Sequence, residues 1–202
     1  MIKPYYDQDG ITIYHGDCRE ILPHLPKVDL VLTDPPYGLG NKWTGGTWFT
    51  RNVYATDKVE WDTEAPQAIV DEIVRLNIPT IIWGGNYFYL PISRCWLSWS
   101  KINSMPTMSD IELAWTNFDK PSKQYRSLRN GWERQHPTEK PISLMNWCVQ
   151  MIDANTILDP FMGSGTTLVA AKQLHRKAIG IEIEEKYCEI AVKRLGQGVL
   201  DI

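Results

Sequence analysis

A carboxylate, two prolines and an aromatic ring stand in a row at Asp34-Pro35-Pro36-Tyr37, directly after the apolar run from Val28 to Thr33. Such a run reads as a buried strand. Asp34 then sits at the strand's carboxyl end as a hydrogen-bond acceptor, followed by backbone that the proline rings hold rigid. Much later in the chain, Asp159-Pro160-Phe161-Met162-Gly163-Ser164-Gly165-Thr166-Thr167 follows a second short apolar strand, Thr156 to Leu158, and precedes a helical segment, Thr166 to Leu174. Glycines let backbone approach a ligand closely, and a helix start offers unpaired N–H groups to an anion. This is the pattern of a nucleotide-cofactor turn; the other reading is a tight strand-to-helix turn with no ligand.

Together these two motifs resemble those of the β-class DNA amino-methyltransferases, which move a methyl group from S-adenosylmethionine to the exocyclic amine of adenine or cytosine. In that class the catalytic half precedes the cofactor half, a circularly permuted motif order, and the order here is the same. The resemblance implies that Asp34, Pro35, Pro36 and Tyr37 are catalytic: Asp34 and the Pro35 carbonyl each accept one N–H of the target amine, and Tyr37 stacks on an extruded base. Glu182 ends the strand Ala178 to Glu182 at the spacing of a ribose-binding carboxylate, or else is a solvated charge at a strand end. Ile183 would pack on the adenine of the cofactor. Asp17, after His15-Gly16, matches the family's acceptor for the adenine amino group, or else caps a turn. His136-Pro137-Thr138-Glu139-Lys140-Pro141 is similar to the family's His-Pro-Thr-x-Lys-Pro segment beside the methionine end. There Thr138 and Lys140 are contacts, while His136 is a contact or structural. The implied cofactor site is thus Asp17, Cys18, Asp34, Thr138, Lys140, Asp159, Pro160, Phe161, Gly163, Ser164, Gly165, Thr166, Thr167, Glu182 and Ile183. A dinucleotide fits less well, because the turn lacks the third glycine of that fingerprint and Asp159 stands where a cationic α-amine wants a carboxylate.

The elements that must position these residues are short. Strands are expected at Ile11 to Tyr14, Val28 to Thr33, Thr80 to Trp83, Thr156 to Leu158 and Ala178 to Glu182. Helices are expected at Arg19 to Leu25, Pro66 to Leu76, Ser143 to Ile152, Thr166 to Leu174 and Glu185 to Leu195. Alternation of the two predicts a doubly wound, Rossmann-like α/β sheet, mainly parallel. Cys95 to Ser100 and Ile111 to Asn117 suit an antiparallel hairpin at its edge. Gly38 to Glu60 has no period and reads as a long loop. Its Trp43 and Trp48 follow the catalytic motif, where an aromatic ring can fill the hole left by a flipped base or touch the cofactor. Trp83, before Gly84-Gly85-Asn86, either walls the base pocket or packs in the core.

At 202 residues, with 43% apolar and 22% charged content, one domain is expected over 1–202. No apolar stretch is long enough to span a membrane and the N-terminus lacks a secretory pattern, so a cytoplasmic protein is expected. Cys18, Cys95, Cys148 and Cys188 have neither Cys-x-x-Cys nor zinc spacing, which predicts reduced thiols and no metal centre. A net charge of −3 argues against coating nucleic acid nonspecifically. Basic residues do cluster locally at Lys120, Lys123, Arg126, Arg129 and Arg134. The even spacing of Lys120, Lys123, Arg126 and Arg129 suits one face of a helical turn or a loop following the DNA backbone, so 118–135 and 38–60 are the expected DNA-contacting segments. Double-stranded DNA is the expected partner, with a homodimer and a cognate restriction enzyme as further ones. Asp-Pro-Pro-Tyr points to adenine N6 as target, with cytosine N4 as the alternative. RNA, a small-molecule amine or an idle cofactor-binding subunit are the remaining readings.

Overall fold

The computed structural model describes residues 2–38, 65–102, 109–127 and 140–197. Strands β1 (Tyr6–Gln8), β2 (Ile11–His15), β3 (Leu30–Thr33), β4 (Thr80–Trp83), β5 (Trp96–Lys101), β6 (Ile111–Thr116), β7 (Lys123–Ser127), β8 (Thr156–Asp159) and β9 (Lys177–Glu182) form one sheet among the described residues. Its order is β1-β2-β9-β8-β3-β4-β6-β5-β7. The helices are α1 (Cys18–Ile21), α2 (Gln67–Arg75), α3 (Ile142–Val149), α4 (Thr166–Gln173) and α5 (Glu185–Gly196).

The central strands β3 and β4 are short, β-branched or leucine-rich, and buried at every residue, as a parallel strand covered on both faces must be. Alternate side chains serve opposite layers. Leu30, Leu32, Ile81, Trp83 and Ile157 join a core cluster with Leu144, Leu168 and Ala171 of α3 and α4. Val31, Ile82, Leu158, Ile179 and Ile181 join another with Ile69, Val70 and Ile73 of α2. The sheet is therefore doubly wound, as the sequence predicts.

Strands β2, β9, β8, β3 and β4 are parallel, and strand order reverses between β8 and β3. Ligands of such sheets lie beyond the carboxyl ends of the strands at this point. Asp34, Asp159, Glu182 and Asp17 all stand at that end.

Two features differ from expectation. The hairpin partners β5 and β6 do pair antiparallel, with Trp96 opposite Trp115 and Ser100 opposite Ile111, but β6 lies inside, against β4. The edge is β7, parallel to β5. So Lys123 and Arg126 belong to a strand and not to a helical face. At a period of two, a spacing of three sends them to opposite faces of the sheet. Little apolar patterning marks β7, because an edge strand gains its place from β5 main chain and two side-chain contacts: Tyr125 lies 5.4 Å from the Trp147 ring, and the Trp99 indole donates to Ser127 at 2.9 Å. At the other edge β1 also escapes pattern reading, although the Asp9-Gly10 turn that joins it to β2, both residues at positive φ, is a hairpin signal.

Candidate active site

A cleft of about 570 Å³ opens at the carboxyl end of the sheet, within the range of small-ligand pockets. One wall is the glycine turn. Gly163 and Gly165 both adopt left-handed φ, at 51° and 81°. Gly165 is pressed against α5: a Cβ there would come within 2.7 Å of the Ala191 methyl. Gly163 faces open space in the cleft wall. The turn is buttressed by Arg194, which donates to the Ser164 carbonyl at 2.9 Å, the Ser164 hydroxyl at 2.8 Å and the Thr166 hydroxyl at 3.1 Å. Nothing local marks Arg194, because α5 brings it to the turn from the end of the chain.

Glu182 lines the cleft and accepts one backbone N–H on each oxygen, from Gly163 at 3.0 Å and Glu184 at 2.8 Å. Each oxygen keeps a lone pair, and burial raises the carboxyl's pKa against those two donors. Ile183 beside it is exposed at the cleft, and Pro160, Phe161, Thr166 and Thr167 line it. Asp159 is buried where β8 meets the turn. It accepts from the Thr33 hydroxyl at 2.8 Å, the Phe161 N–H at 3.1 Å and the Thr167 hydroxyl at 2.6 Å. Burial pushes its pKa up to about 6 in spite of these donors. The Thr33 bond ties β3, which leads into Asp34, to β8, which leads into the glycine turn, across the point of reversal.

Asp17 also lines the cleft, but it caps α1 by accepting the Arg19 N–H at 2.9 Å and is forked by the Arg19 guanidinium. Both its oxygens are engaged, so the capping role is the one observed. Cys18 is buried next to it, and burial pushes its thiol up to about 11.

Asp34 lies at the centre of a buried charge cluster. Lys140, 5% exposed, places Nζ 2.6 Å from Asp34 Oδ2, 3.1 Å from Glu112 Oε2 and 3.3 Å from the Tyr37 hydroxyl oxygen. Tyr37 donates to Asp34 Oδ1 at 2.5 Å. Glu112 also meets Lys101 at 2.5 Å. Burial raises the pKa of Asp34 and makes it a stronger base than an ordinary carboxylate, although Lys140 and Tyr37 pull the other way. Burial alone would depress the Lys140 ammonium; Asp34 and Glu112 reverse this and hold it charged. Glu112, despite its burial, is held down at about 2 by Lys140 and Lys101.

The three Lys140 donors are directed at Asp34, Glu112 and Tyr37, and Lys140 also lines the cleft. Tyr37 does not offer a free ring: it stacks on Tyr87 with centroids 4.8 Å apart, and the exposed member of the pair is Tyr87. Trp83 is fully buried and lies in the core, its ring 5.6 Å from Lys140 Nζ. Glu112, Lys101 and Tyr87 carry no sequence motif, and only strand pairing reveals them. Gly84, at φ 66°, has its α-carbon so close to Tyr37 that a methyl there would collide with the ring.

Lys120 does not reach this end of the molecule. Lys120 donates to the Met151 carbonyl at 3.3 Å, toward the amino end of β8, whereas Lys123 pairs with Leu97, which through Ala114 is level with Trp83, the last residue of β4. Arg126, opposite Ser100, is near the cleft end and exposed. Thr138, His136, Arg129, Arg134, Trp43 and Trp48 lie outside the described residues, as do most of 38–60 and the end of 118–135.

The profile of the N6/N4 DNA methylase family matches residues 82–193, more than half of the chain. The chain belongs to the DNA methylase family. Among its relatives, the Type II methyltransferase M2.DpnII of Streptococcus pneumoniae is 28% identical over 96% of this chain and 93% of its own length. The Type II methyltransferase M.ScaI of Streptomyces caespitosus is 26% identical over 96% of this chain and 84% of its own. The crystal structure of the M1.HpyAVI–SAM complex superposes with a TM-score of 0.60 at 28% identity, covering 92% of this chain and 98% of that one. The cytosine-N4-specific PvuII DNA methyltransferase shares the fold, with a TM-score of 0.64 at 16% identity. Like these, the DNA methylase described here is an α/β protein with a mostly parallel sheet, and no helix among its described residues is long and apolar enough to cross a membrane.

Proposed function

We propose that this DNA methylase transfers a methyl group from S-adenosylmethionine to the N6 amine of an adenine extruded from double-stranded DNA. The observation that carries the reading is the position of Asp34: a buried carboxylate of raised basicity at the switch point, opposite the glycine turn and in the same cleft. The cleft suits the cofactor. Gly163 leaves the wall open where a side chain would intrude, Glu182 has lone pairs free for two ribose hydroxyls, and Asp159 is a carboxylate for an α-amine.

An exocyclic amine is a poor nucleophile because its lone pair is delocalised into the ring. Asp34 and the Pro35 carbonyl counter this by each accepting one N–H, which draws the nitrogen toward tetrahedral geometry. When bound, S-adenosylmethionine supplies an electrophilic methyl whose bond pair stays with the sulfur. As the N–C bond forms, the amine nitrogen becomes cationic and sheds one proton, for which the Asp34 carboxylate is the acceptor. Orientation by the rigid Asp-Pro-Pro-Tyr turn supplies much of the rate. Extruding the base costs a few kcal/mol, which stacking offsets; Tyr87, the exposed ring of the Tyr37–Tyr87 stack, is an aromatic surface available for it. Aspartate at position 34 supports adenine, since cytosine-N4 members of the family favour serine there.

The test is transfer of tritium from labelled S-adenosylmethionine to unmethylated DNA, followed by nucleoside mass spectrometry. N6-methyladenine is the expected product, and Asp34→Ala should abolish it while leaving cofactor affinity within about threefold, because the Asp34 bonds act on the amine. N4-methylcytosine would move the assignment to the other base; activity retained by Asp34→Ala would remove Asp34 from the chemistry.

A further inference from the structure

Resting on that reading, we infer that Glu112 is a positioning residue for the methyl transfer: it divides the charge of Lys140 and so leaves Asp34 free to accept from the target amine. Lys101, Glu112, Lys140 and Asp34 form a chain of alternating sign, with links of 2.5, 3.1 and 2.6 Å. Each member comes from a different part of the fold: the end of β5, the start of β6, the segment before α3 and the turn after β3. The geometry puts Glu112 behind Lys140 as seen from Asp34.

A lone buried lysine at hydrogen-bond distance would neutralise Asp34. It would claim one of the carboxylate's oxygens and lower its basicity, and such a carboxylate is a weak acceptor for a weakly acidic amine. A second carboxylate on the same ammonium shares that charge, and its own negative charge raises the basicity of Asp34 further. Lys101 in turn limits Glu112: it neutralises part of that charge, so that Lys140 remains on Asp34. Among the described residues the charged or titratable groups acting on Asp34 are Lys140, Tyr37, Glu112 and, from the end of β8, Asp159. Asp159 and Tyr37 are common to every variant below, so changes at Glu112 or Lys101 report on the chain alone.

The two ends of the chain predict opposite displacements, which damage to packing would not produce. In Glu112→Gln, Lys140 has only Asp34, and kcat should fall about tenfold or more while the acid limb of the pH–rate profile moves to lower pH by about one pH unit. Glu112→Asp should recover part of both. In Lys101→Met, Glu112 is unopposed and the acid limb should move to higher pH. Cofactor affinity by calorimetry should stay within about threefold in all three, since the chain acts on the amine side of the cleft. Titration of the Asp34 carboxyl by ¹³C NMR in cofactor-free protein should show the same two displacements. The inference is overturned if Glu112→Gln leaves kcat unchanged, if kcat falls while limb and titration stay in place, or if both variants move the limb the same way. Should the parent protein methylate neither adenine nor cytosine, the functional reading fails by itself, and the NMR titration still decides whether Glu112 sets the basicity of Asp34.

Discussion

At the scale of single residues, the cleft separates two kinds of carboxylate. Glu182 and Asp34 both have raised pKa and both line the cleft, but Glu182 is held by two backbone N–H groups and Asp34 by an ammonium and a phenol. The first arrangement leaves an acceptor fixed in direction; the second leaves one whose basicity depends on its neighbours. Asp159 is a third case, a buried carboxyl with pKa about 6 in the free protein. A bound α-ammonium would favour its ionised form. Above that pKa the carboxylate is already charged and cofactor affinity should be full; as pH falls through it, binding must expel a proton and affinity should drop, by up to about tenfold per pH unit. Calorimetry from about pH 5 to pH 8 measures this, and Asp159→Asn should flatten the curve at the lower affinity. A parent affinity that is level across the range would confine Asp159 to holding the turn.

At the scale of elements, the glycine turn contains two glycines with different tasks. Gly165 starts α4 at φ 81° and touches Ala191 of α5, whereas Gly163, also left-handed, meets nothing. An L-residue pays about 1–2 kcal/mol for the left-handed region at either position. Only Gly165→Ala must also push two helices apart. Its melting temperature should therefore fall several degrees further than that of Gly163→Ala, at about 2–4 °C per kcal/mol for a domain of this size. Gly163→Ala should lose cofactor affinity instead, because its methyl projects into the cleft. Equal melting temperatures for the two variants would show that α5 yields without cost. The motif is readable because φ, spacing and helix start are all local properties of nine consecutive residues, Asp159 to Thr167.

At the scale of the whole molecule, polarity of the sheet decides which charges can meet DNA at the cleft. The basic cluster is continuous along the chain, yet β7 runs parallel to β5, and its register and period of two separate the basic side chains in space. Lys120 lies at the far end, Lys123 on the face of β7 opposite Arg126, and Arg126 near the cleft end. If Arg126 contacts a phosphate, Arg126→Ala should lower the slope of log binding constant against log salt by about one unit, while Lys120→Ala and Lys123→Ala leave it unchanged. Filter binding or fluorescence anisotropy over a salt series measures all three. A lowered slope for the two lysines with none for Arg126 would place the DNA on the opposite side of the molecule.

The sequence by itself determined the parallel doubly wound core, the positions of Asp34, Asp159 and Glu182 at strand ends, and the glycine turn, because each depends on a short run of residues whose side-chain period or backbone freedom is intrinsic. Tertiary structure alone decided what those residues face. Asp17 has its cap and Arg19 close by in sequence, but Arg194 reaches the turn only by helix packing, and Tyr87 meets Tyr37 only because β4 lies beside β3. Glu112 meets Lys140 and Lys101 only through the register that sets Trp99 opposite Glu112 and Trp83 opposite Ala114. Register is a property of paired strands, in which a slip of one residue would turn Glu112 to the other face. No reading of β6 alone contains it, and the charge chain behind Asp34 exists only once the sheet has closed around it.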